Sequence, residues 1–342
     1  MHTNKKATSY WHRLEDGRIQ CDLCPRKCKL KNGQRGFCYV RGAENGAIVL
    51  YAYGMTTGLA VDPIEKKPLY HFYPGSKVLS FGTVGCNLSC RFCQNWQISS
   101  SGRMESMQKA TPEEIVKRAK NSGAQTIAFT YNDPVVFMEF ARDVAQAALK
   151  RKIATVAVTA GYISEKARPE FFSFINAANV DLKAFSDDFY RKFSAARLQP
   201  VLDTLRYIRE ETNVWLEVTT LLIPGLNDSD YELHALSEWL VENLGPDVPL
   251  HFSAFHPDHK MTDRQRTPLS TLEKARLIAF SKGLNFVYTG NVYDPDGSAT
   301  HCPDCGQVLI ERNGYQTLVL NMTLESACSN CGARIVGVFA SK

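Results

Sequence analysis

Eleven cysteines are the residues of this 342-residue chain with the greatest capacity for chemistry, and they fall into three groups. Thiolates bind metal ions and iron–sulfur clusters, and thiols can pair as disulfides. The first 17 residues contain no apolar segment of the kind that directs export, so we expect a cytoplasmic protein. In that reducing compartment, clustered cysteines indicate metal or redox chemistry rather than disulfides.

The last group consists of two short knuckles, CPDCG and CSNCG, which carry Cys302, Cys305, Cys328 and Cys331. The CxxC spacing lets both thiolates of each pair reach one tetrahedral ion. Two strand-like runs lie between the knuckles and flank an Asn313-Gly314 turn, which is typical of a hairpin. This pattern predicts a zinc-ribbon-like module with a structural metal, and a rubredoxin-like iron site is the alternative.

The first group offers four thiolates at irregular spacing, from Cys21, Cys24, Cys28 and Cys38. Sets of four thiolates hold zinc and iron–sulfur clusters alike, so zinc, an auxiliary cluster and no metal all stay open. Basic residues lie among these cysteines and either offset the charge of the thiolates or contact RNA. The net charge of +5 is too small to favour nucleic acid as the main partner.

The middle group differs because GCNLSCRFC supplies three thiolates, Cys86, Cys90 and Cys93, with no fourth cysteine nearby. Three ligands on a cubane iron–sulfur cluster leave one iron without a protein ligand. Such an iron can bind an exogenous chelating molecule, as the open position of a catalytic metal site does. The spacing therefore predicts a reactive cluster rather than a structural one.

Alternating strands and helices are predicted to position this loop. Apolar, strand-like runs cover residues 78–84, 126–130, 154–160, 179–184, 213–223 and 249–255, and a short strand lies near 286–288. Helical segments lie between them, at 112–123, 135–149, 165–177, up to 211, 229–244 and from a capping box at Ser270 to Gly283. Six such units predict an α/β fold with a parallel sheet, curled as a partial barrel or open and doubly wound. The cysteines of the middle group follow the first strand, at the edge where barrels keep active sites.

The Cys86-x3-Cys90-x2-Cys93 motif, with Phe92 before its last cysteine, resembles the cluster motif of radical S-adenosylmethionine (SAM) enzymes. Residues 62–75, 85–99, 130–134 (TYNDP), 181–183 (DLK), 288–294 and the CPDCG tail together resemble the AmmeMemoRadiSam system radical enzymes, relatives of pyruvate formate-lyase activating enzyme. This resemblance implies a partial (β/α)6 TIM-like barrel over residues 76–292. Four-cysteine appendages would occupy residues 1–75 and 293–342.

The resemblance also implies the cofactors and their site. Cys86, Cys90 and Cys93 would hold a 4Fe-4S cluster, and Phe92 would line the adenine site of SAM. Tyr131, Asn132 and Asp133 stand where the superfamily keeps a Gly-Gly-Glu-Pro-like segment for the amino group of SAM. Asp181 and Lys183 would lie near its methionyl part. From the residues alone, simpler structural roles stay open at each place. Phe92 could be a packing aromatic, residues 131–133 could form an Asx-type turn, and Asp181 and Lys183 could form a plain salt bridge.

The activity implied is reductive cleavage of SAM to a 5′-deoxyadenosyl radical, which abstracts hydrogen from an unidentified protein, RNA or small molecule. Activation of a glycyl-radical enzyme is the alternative, and an iron–sulfur electron carrier or a four-cysteine binding module is more remote. A flavodoxin or ferredoxin would supply electrons, and the companion proteins of the AmmeMemoRadiSam system are implied partners. The longest uncharged stretch, residues 45–61, is too short to span a membrane.

Overall fold

The computed structural model of the protein describes residues 5–314 and 316–339. The strands are β1 (Lys6–Ala7), β2 (Trp11–Arg13), β3 (Ile19–Cys21), β4 (Lys29–Leu30), β5 (Arg41–Glu44), β6 (Ala47–Leu50), β7 (Met55–Thr56), β8 (Ala60–Pro63), β9 (Lys77–Phe81), β10 (Gln108–Lys109), β11 (Thr126–Phe129), β12 (Ala154–Thr159), β13 (Ala177–Asp181), β14 (Trp215–Leu222), β15 (Leu250–Ala254), β16 (Val287–Gly290), β17 (Thr300–His301), β18 (Val308–Asn313) and β19 (Gln316–Val319). The α-helices are α1 (Trp96–Ser99), α2 (Pro112–Asn121), α3 (Met138–Leu149), α4 (Arg168–Ser173), α5 (Asp187–Phe189), α6 (Gln199–Glu211), α7 (Asp230–Leu244), α8 (Leu269–Ser281) and α9 (Pro295–Ser298). Short 3-10 turns span Ile64–Lys66, Met104–Ser106, Pro134–Phe137 and Glu165–Ala167, and a π-turn spans Tyr190–Ser194.

An eight-stranded mixed sheet forms the centre of the fold, in the order β16-β15-β14-β13-β12-β11-β9-β8. Strands β9 and β11 to β16 run parallel and are joined by helices, so the α/β prediction is confirmed. Every residue of β11 and β15 is buried, as expected of strands covered on both faces. Within the described ranges, no helix is long and apolar enough to cross a membrane.

Among the helix ends that differ from the prediction, two differ for a clear structural reason. The helix predicted over residues 165–177 stops at Ser173, and Ala177 instead begins β13, where it is fully buried beside its neighbouring strands. Helix α8 begins at Leu269 with Pro268 as its N-cap, so the capping box expected at Ser270 does not form. By contrast, the capping box of Thr111 and Glu114 forms as predicted at the start of α2.

The N-terminal region is built from small sheets, β1-β6-β5 and β2-β3-β4, while β8 leaves this region and joins the main sheet antiparallel to β9. A fully buried ion pair attaches the region to α3, because Arg41 of β5 contacts both carboxylate oxygens of Glu139. The Arg41 Nε also donates to the carbonyl of Val136 at 2.9 Å. Removal of one partner would leave a buried charge unpaired, which is strongly destabilising.

The C-terminal region is a three-stranded sheet, β17-β18-β19, whose β18-β19 hairpin turns after Asn313 as predicted. It is held to the main fold by His71, whose ring bonds to the Val336 carbonyl at 2.8 Å and the Tyr288 hydroxyl at 2.6 Å. The Val338 amide adds a bond of 2.7 Å to the His71 carbonyl. Residue His71 therefore connects the segment before β9, strand β16 and the C-terminal region.

Candidate functional site

A cleft of about 300 Å³ opens at the carboxyl ends of the parallel strands. All nine residues predicted for the central site line it, namely Cys86, Cys90, Phe92, Cys93, Tyr131, Asn132, Asp133, Asp181 and Lys183. Sequence reasoning placed these residues on three separate loops, and the parallel order of β9, β11 and β13 brings the loops to one edge. The structure thus assembles the predicted set in a single cavity.

The loop that carries the three central cysteines is held by close backbone contacts. Gly85 has a φ of +78° and donates its amide to the Ile98 carbonyl at 2.8 Å. A Cβ atom at Gly85 would lie 2.0 Å from the Cys38 carbonyl oxygen, so only glycine fits there. Further along, the Ser89 amide donates to the Ser194 carbonyl at 3.0 Å. The N-terminal region and the π-turn therefore fix the shape of this loop.

The three central thiols have the surroundings of cluster ligands. The Leu88 amide donates to Cys86 Sγ at 3.5 Å, and Ser99 Oγ lies 3.1 Å from Cys93 Sγ. Burial raises the pKa of Cys86, and it raises that of Cys90 to about 11. Such thiols bind as thiolates only when a metal displaces the proton. No other cysteine and no histidine lines the cleft in the described chain, which fits a cluster with three protein ligands.

Asn132 bonds to the cysteine loop with its side chain. Its Oδ1 accepts from the Thr83 amide at 3.0 Å, and its Nδ2 donates to the Gly85 carbonyl at 2.6 Å. Tyr131, which the resemblance places where a glycine is expected, has a φ of +71°. It therefore adopts the left-handed geometry that favours glycine, at a cost of about 1 kcal/mol or more. The strain supports a positional role for this turn.

Asp133 combines a turn with a position in the cleft. Its Oδ1 accepts from the Val135 amide at 3.0 Å and from Thr159 Oγ1 at 3.1 Å, and its Oδ2 accepts from the Ala160 amide at 3.0 Å. Burial raises the pKa of this carboxyl to about 6. The Asx-type turn considered from sequence is thus present, and the same side chain connects β11 to β12 beside the cleft.

Lys183 and Asp181 form an ion pair of 3.1 Å at the end of β13. Burial disfavours the charged ammonium, but the Asp181 carboxylate and the nearby Cys90 sulfur together favour it more strongly, so the pKa of Lys183 is raised. The Lys183 amide also donates to Tyr190 Oη at 3.0 Å. The salt bridge expected as the plain alternative is therefore real, and it places a fixed positive charge close to a central cysteine.

Phe92 is 4% exposed and packs in a small apolar cluster, where its ring lies 5.8 Å from that of Phe189. Phe255 and Met261 belong to the same cluster. Phe92 also lines the cleft, so packing and a contact with a ligand are compatible here.

Sequence reasoning missed other lining residues, because they come from distant segments. Lys66 and Pro68 belong to the segment between β8 and β9, which was assigned to the N-terminal region. Ser253 lies near the carboxyl end of β15, and Asn291 directly follows β16. The sequence signal for Ser253 is a polar residue within a largely apolar strand. The resemblance over residues 62–75 pointed to the first segment without indicating its place.

The N-terminal cysteines surround a second, small cavity of about 20 Å³, which is too small for an organic ligand. Cys21, Cys24, Cys28 and Cys38 all line it, together with Asn87 of the central loop. Burial raises the pKa of Cys21, Cys24 and Cys38. Because Cys86 lines the central cleft and the adjacent Asn87 lines this cavity, one turn of the loop separates the two sites.

One basic residue of the N-terminal region, Arg26, binds the loop that carries the central cysteines. The Arg26 guanidinium donates to the carbonyls of Asn87 and Ala195. It also lies 3.4 Å from the centre of the Phe37 ring. The sequence favoured charge offset for this arginine, with RNA contact as the alternative, and the structure shows it hydrogen-bonded to the loop that carries the central cysteines.

The C-terminal cysteines form the most compact group. The ligand atoms of Cys302, Cys305, Cys328 and Cys331 all lie within 4.8 Å of one another. The pairs Cys302–Cys331 and Cys305–Cys328 are 3.5 and 3.7 Å apart. A tetrahedral ion with metal–sulfur bonds of about 2.3 Å holds its thiolates about 3.8 Å apart. The predicted four-cysteine group is therefore assembled with the spacing of a single-ion site.

Residues 81–236 match the sequence model of the radical SAM superfamily. The chain is 41% identical to the uncharacterized protein MJ0808 of Methanocaldococcus jannaschii over 96% of its length and 98% of that protein. It is 25% identical to the isethionate sulfite-lyase activating enzyme of Nitratidesulfovibrio vulgaris, over 40% of this chain and 44% of that enzyme.

Among solved structures, a radical SAM methyltransferase of Sphaerobacter thermophilus is similar in fold. The TM-score is 0.50 at 17% sequence identity, and the match covers 90% of this chain and 81% of that one. At this identity the likeness concerns the fold alone.

Proposed function

This chain belongs to the radical SAM superfamily, whose members are enzymes, and we propose that it cleaves SAM reductively and uses the resulting 5′-deoxyadenosyl radical to abstract hydrogen from a substrate. The observation that carries this proposal is the central cleft, where three cysteines and six predicted cofactor residues meet without a fourth cysteine. Three ligands leave one iron of a cubane able to bind SAM.

The residues of the cleft fit this pair of cofactors. Cys86, Cys90 and Cys93 would hold the 4Fe-4S cluster, and the chemistry that the cluster supplies when reduced is the electron that breaks the sulfonium bond of SAM. Lys183 supplies a fixed positive charge beside Cys90, which stabilises the anionic thiolates. Asn132 holds the turn at the end of β11, which includes the left-handed Tyr131, against the cysteine loop, where the superfamily binds the amino group of SAM.

The architecture and the two terminal groups complete the proposal. We propose that the parallel strands β9 and β11 to β16 form the partial barrel, with the appendages bounded at residues 75 and 293 as the resemblance implies. The compact C-terminal thiols suit one zinc ion. Across the part of the chain that the structure describes, no three thiols of the N-terminal group lie within 4.8 Å of one another. Because a cubane holds its thiolates on separate irons, we propose an auxiliary iron–sulfur cluster for that wider set, with zinc as the alternative because the cavity between the thiols is only about 20 Å³.

The wider context rests on the same resemblance. A flavodoxin or ferredoxin would be the electron donor, and companion proteins of the AmmeMemoRadiSam system would be partners. A cytoplasmic setting suits iron–sulfur clusters, since it is reducing. The oxidoreductase or activase class of the reaction belongs to the proposal as well.

The test is anaerobic formation of 5′-deoxyadenosine by the protein reconstituted with iron and sulfide, then reduced with dithionite in the presence of SAM. We expect product from the wild type and none from the Cys86/Cys90/Cys93→Ala variant. The matched control is Cys305→Ala, which removes one thiol from the C-terminal group and leaves the central site intact. Equal product from all three proteins would refute the proposal, because the central cysteines would then not be required. No product from wild type with a full central cluster and bound SAM would also refute it and would favour an electron carrier.

A further inference from the structure

A third cavity, larger than the central cleft, adjoins that cleft. Its volume is about 610 Å³, against about 300 Å³ for the cleft. Four residues line both spaces, namely Lys66, Pro68, Ser253 and Asn291. The two cavities therefore meet at the carboxyl ends of β15 and β16, so a molecule in the larger one lies next to a ligand in the cleft.

The far wall of this cavity comes from the C-terminal region. Arg312 of β18 donates to the carbonyls of Ser298 and Tyr70 at 2.9 and 2.8 Å, and its guanidinium lies 4.1 Å from the centre of the Tyr70 ring. His251 lines another side and bonds to the buried Glu217 at 2.6 Å. The four-cysteine module thus contributes a wall to the cavity beside the reactive site.

The carboxylates that line the cavity are already engaged within the protein. Glu65 accepts from the Gly75 amide at 2.7 Å and lies 4.0 Å from Arg312, which offsets its charge. Asp294 accepts from Thr289 Oγ1 at 2.8 Å and from the Gly297 amide at 3.0 Å. Each carboxylate is therefore held by donors within the protein, and Glu65 also lies beside a cationic side chain.

Arg266 is the exception among the charged lining residues. It is exposed and lines the cavity, and among residues 5–314 and 316–339 no carboxylate pairs with it. Its guanidinium donates to the carbonyl of Asn291, which has a φ of +59° and lines both cavities. One arginine without a carboxylate partner, fixed at the junction, gives the cavity a positive end.

We infer that the larger cavity is the substrate chamber of this enzyme and that it takes a small anionic molecule whose carboxylate or phosphate contacts Arg266. The inference rests on the proposed function, because it assigns the hydrogen donor to a space next to the SAM site. A guanidinium binds either anion through two parallel hydrogen bonds, so both share this chemistry. The chamber would hold the rest of the molecule against Tyr70, His251 and Ser253.

The experiment uses the full-length, cluster-reconstituted protein, with inorganic phosphate and malonate as probes. We expect saturable broadening of the phosphate ³¹P resonance, which malonate reverses if carboxylates bind in the same place. Arg266→Gln should weaken phosphate binding roughly ten-fold or more, because hydrogen bonds to a charged partner are lost. Val292→Trp should weaken it as well, since a large side chain from the same loop would fill the chamber.

Arg118→Gln is the matched control, because Arg118 is also exposed but lies on α2, away from the chamber. It should bind phosphate as the wild type does. Absence of saturable binding, or equal binding by Arg266→Gln and wild type, would overturn the inference. Wild-type cleavage of SAM is measured in parallel. Cleavage of SAM without phosphate binding would refute the substrate chamber and leave the proposed function standing. Phosphate binding without cleavage, in protein with an intact cluster and bound SAM, would refute the proposed function and leave the anion site standing.

Discussion

The two four-cysteine regions share a ligand set and differ in almost every physical respect. The C-terminal thiols lie within 4.8 Å of one another, and Cys305 and Cys331 are exposed. The N-terminal thiols are more widely spaced and line a cavity together with Asn87 of the central loop. The same four-cysteine composition therefore occurs in two different settings, a compact group in the C-terminal region and a wider group that adjoins the central cysteine loop.

Ligand type alone does not assign a metal at either group, so the two groups are distinguished here by spacing and surroundings. Four thiolates suit zinc and iron–sulfur clusters equally. The position of the N-terminal group matters more than its sequence spacing, because Cys38 contacts Gly85 of the central loop. We therefore expect damage at the N-terminal group to reach the central site and damage at the C-terminal group to stay local.

The largest effect is expected from Gly85→Ala. A Cβ atom at this position would lie 2.0 Å from the Cys38 carbonyl, so the central loop must move and the central cluster should be lost. Gly123→Ala is the control, because Gly123 also has a positive φ of +71° but has nothing within 4 Å of an added Cβ. We expect the control to lose about 1 kcal/mol of stability. The measurements are iron content and 5′-deoxyadenosine formation. Wild-type values of both in Gly85→Ala would contradict the proposed link between the N-terminal group and the central site.

A smaller effect is expected from removal of one ligand at each terminal group. Cys38→Ser should lower the iron content by one cluster and reduce 5′-deoxyadenosine formation roughly ten-fold, the scale of supporting residues around a metal site. Cys305→Ser should lose zinc and keep iron content and cleavage of SAM close to those of wild type. Elemental analysis with the cleavage assay separates the two. Zinc, rather than iron, lost from Cys38→Ser would contradict the assignment.

The smallest effect concerns the attachment of the C-terminal region. Burial lowers the pKa of His71 to about 4, below its usual value, although Glu217 opposes this shift and Arg312 and His251 add to it. On acidification, the His71 imidazole therefore binds its proton at a higher pH in the unfolded state than in the folded state. The contribution of His71 to the free energy of unfolding is present above pH 6.5 and is lost as the pH falls toward 4. Between pH 7 and pH 5 the loss is about 2 kcal/mol.

Urea unfolding of wild type and His71→Gln at the two pH values measures this loss. The variant should show a smaller difference between pH 7 and pH 5, because its side chain does not titrate. An identical pH dependence in the two proteins would show that His71 does not link the C-terminal region to acid stability.

Local signals in the sequence were sufficient for much of the fold and for the residues of the cleft. Thr111 and Glu114 carry their capping pattern within four residues, and the cysteine loop directly follows a buried strand. Contacts between distant segments carry no such signal. The pairing of β8 with β9 and the approach of Cys38 to Gly85 join segments whose patterns give no hint of each other.

The substitution in the TYNDP segment shows a second limit. Residue type predicts that Tyr131 avoids the left-handed region, yet its φ is +71° because the neighbouring turn is held by Asn132 and Asp133. Tertiary hydrogen bonds here override the preference of one residue. This effect becomes visible only in a three-dimensional structure, where the donor and the acceptor of each hydrogen bond have known positions.

The central claim is that the cluster held by Cys86, Cys90 and Cys93 has an iron that binds SAM directly. Electron–nuclear double resonance on the reduced protein tests it, with SAM labelled by ¹⁵N in the amino group and ¹⁷O in the carboxylate. The account predicts magnetic coupling of both labels to the cluster, with no such signal in the Cys86/Cys90/Cys93→Ala variant. A reduced, intact central cluster with bound SAM and no coupling to either label would contradict it.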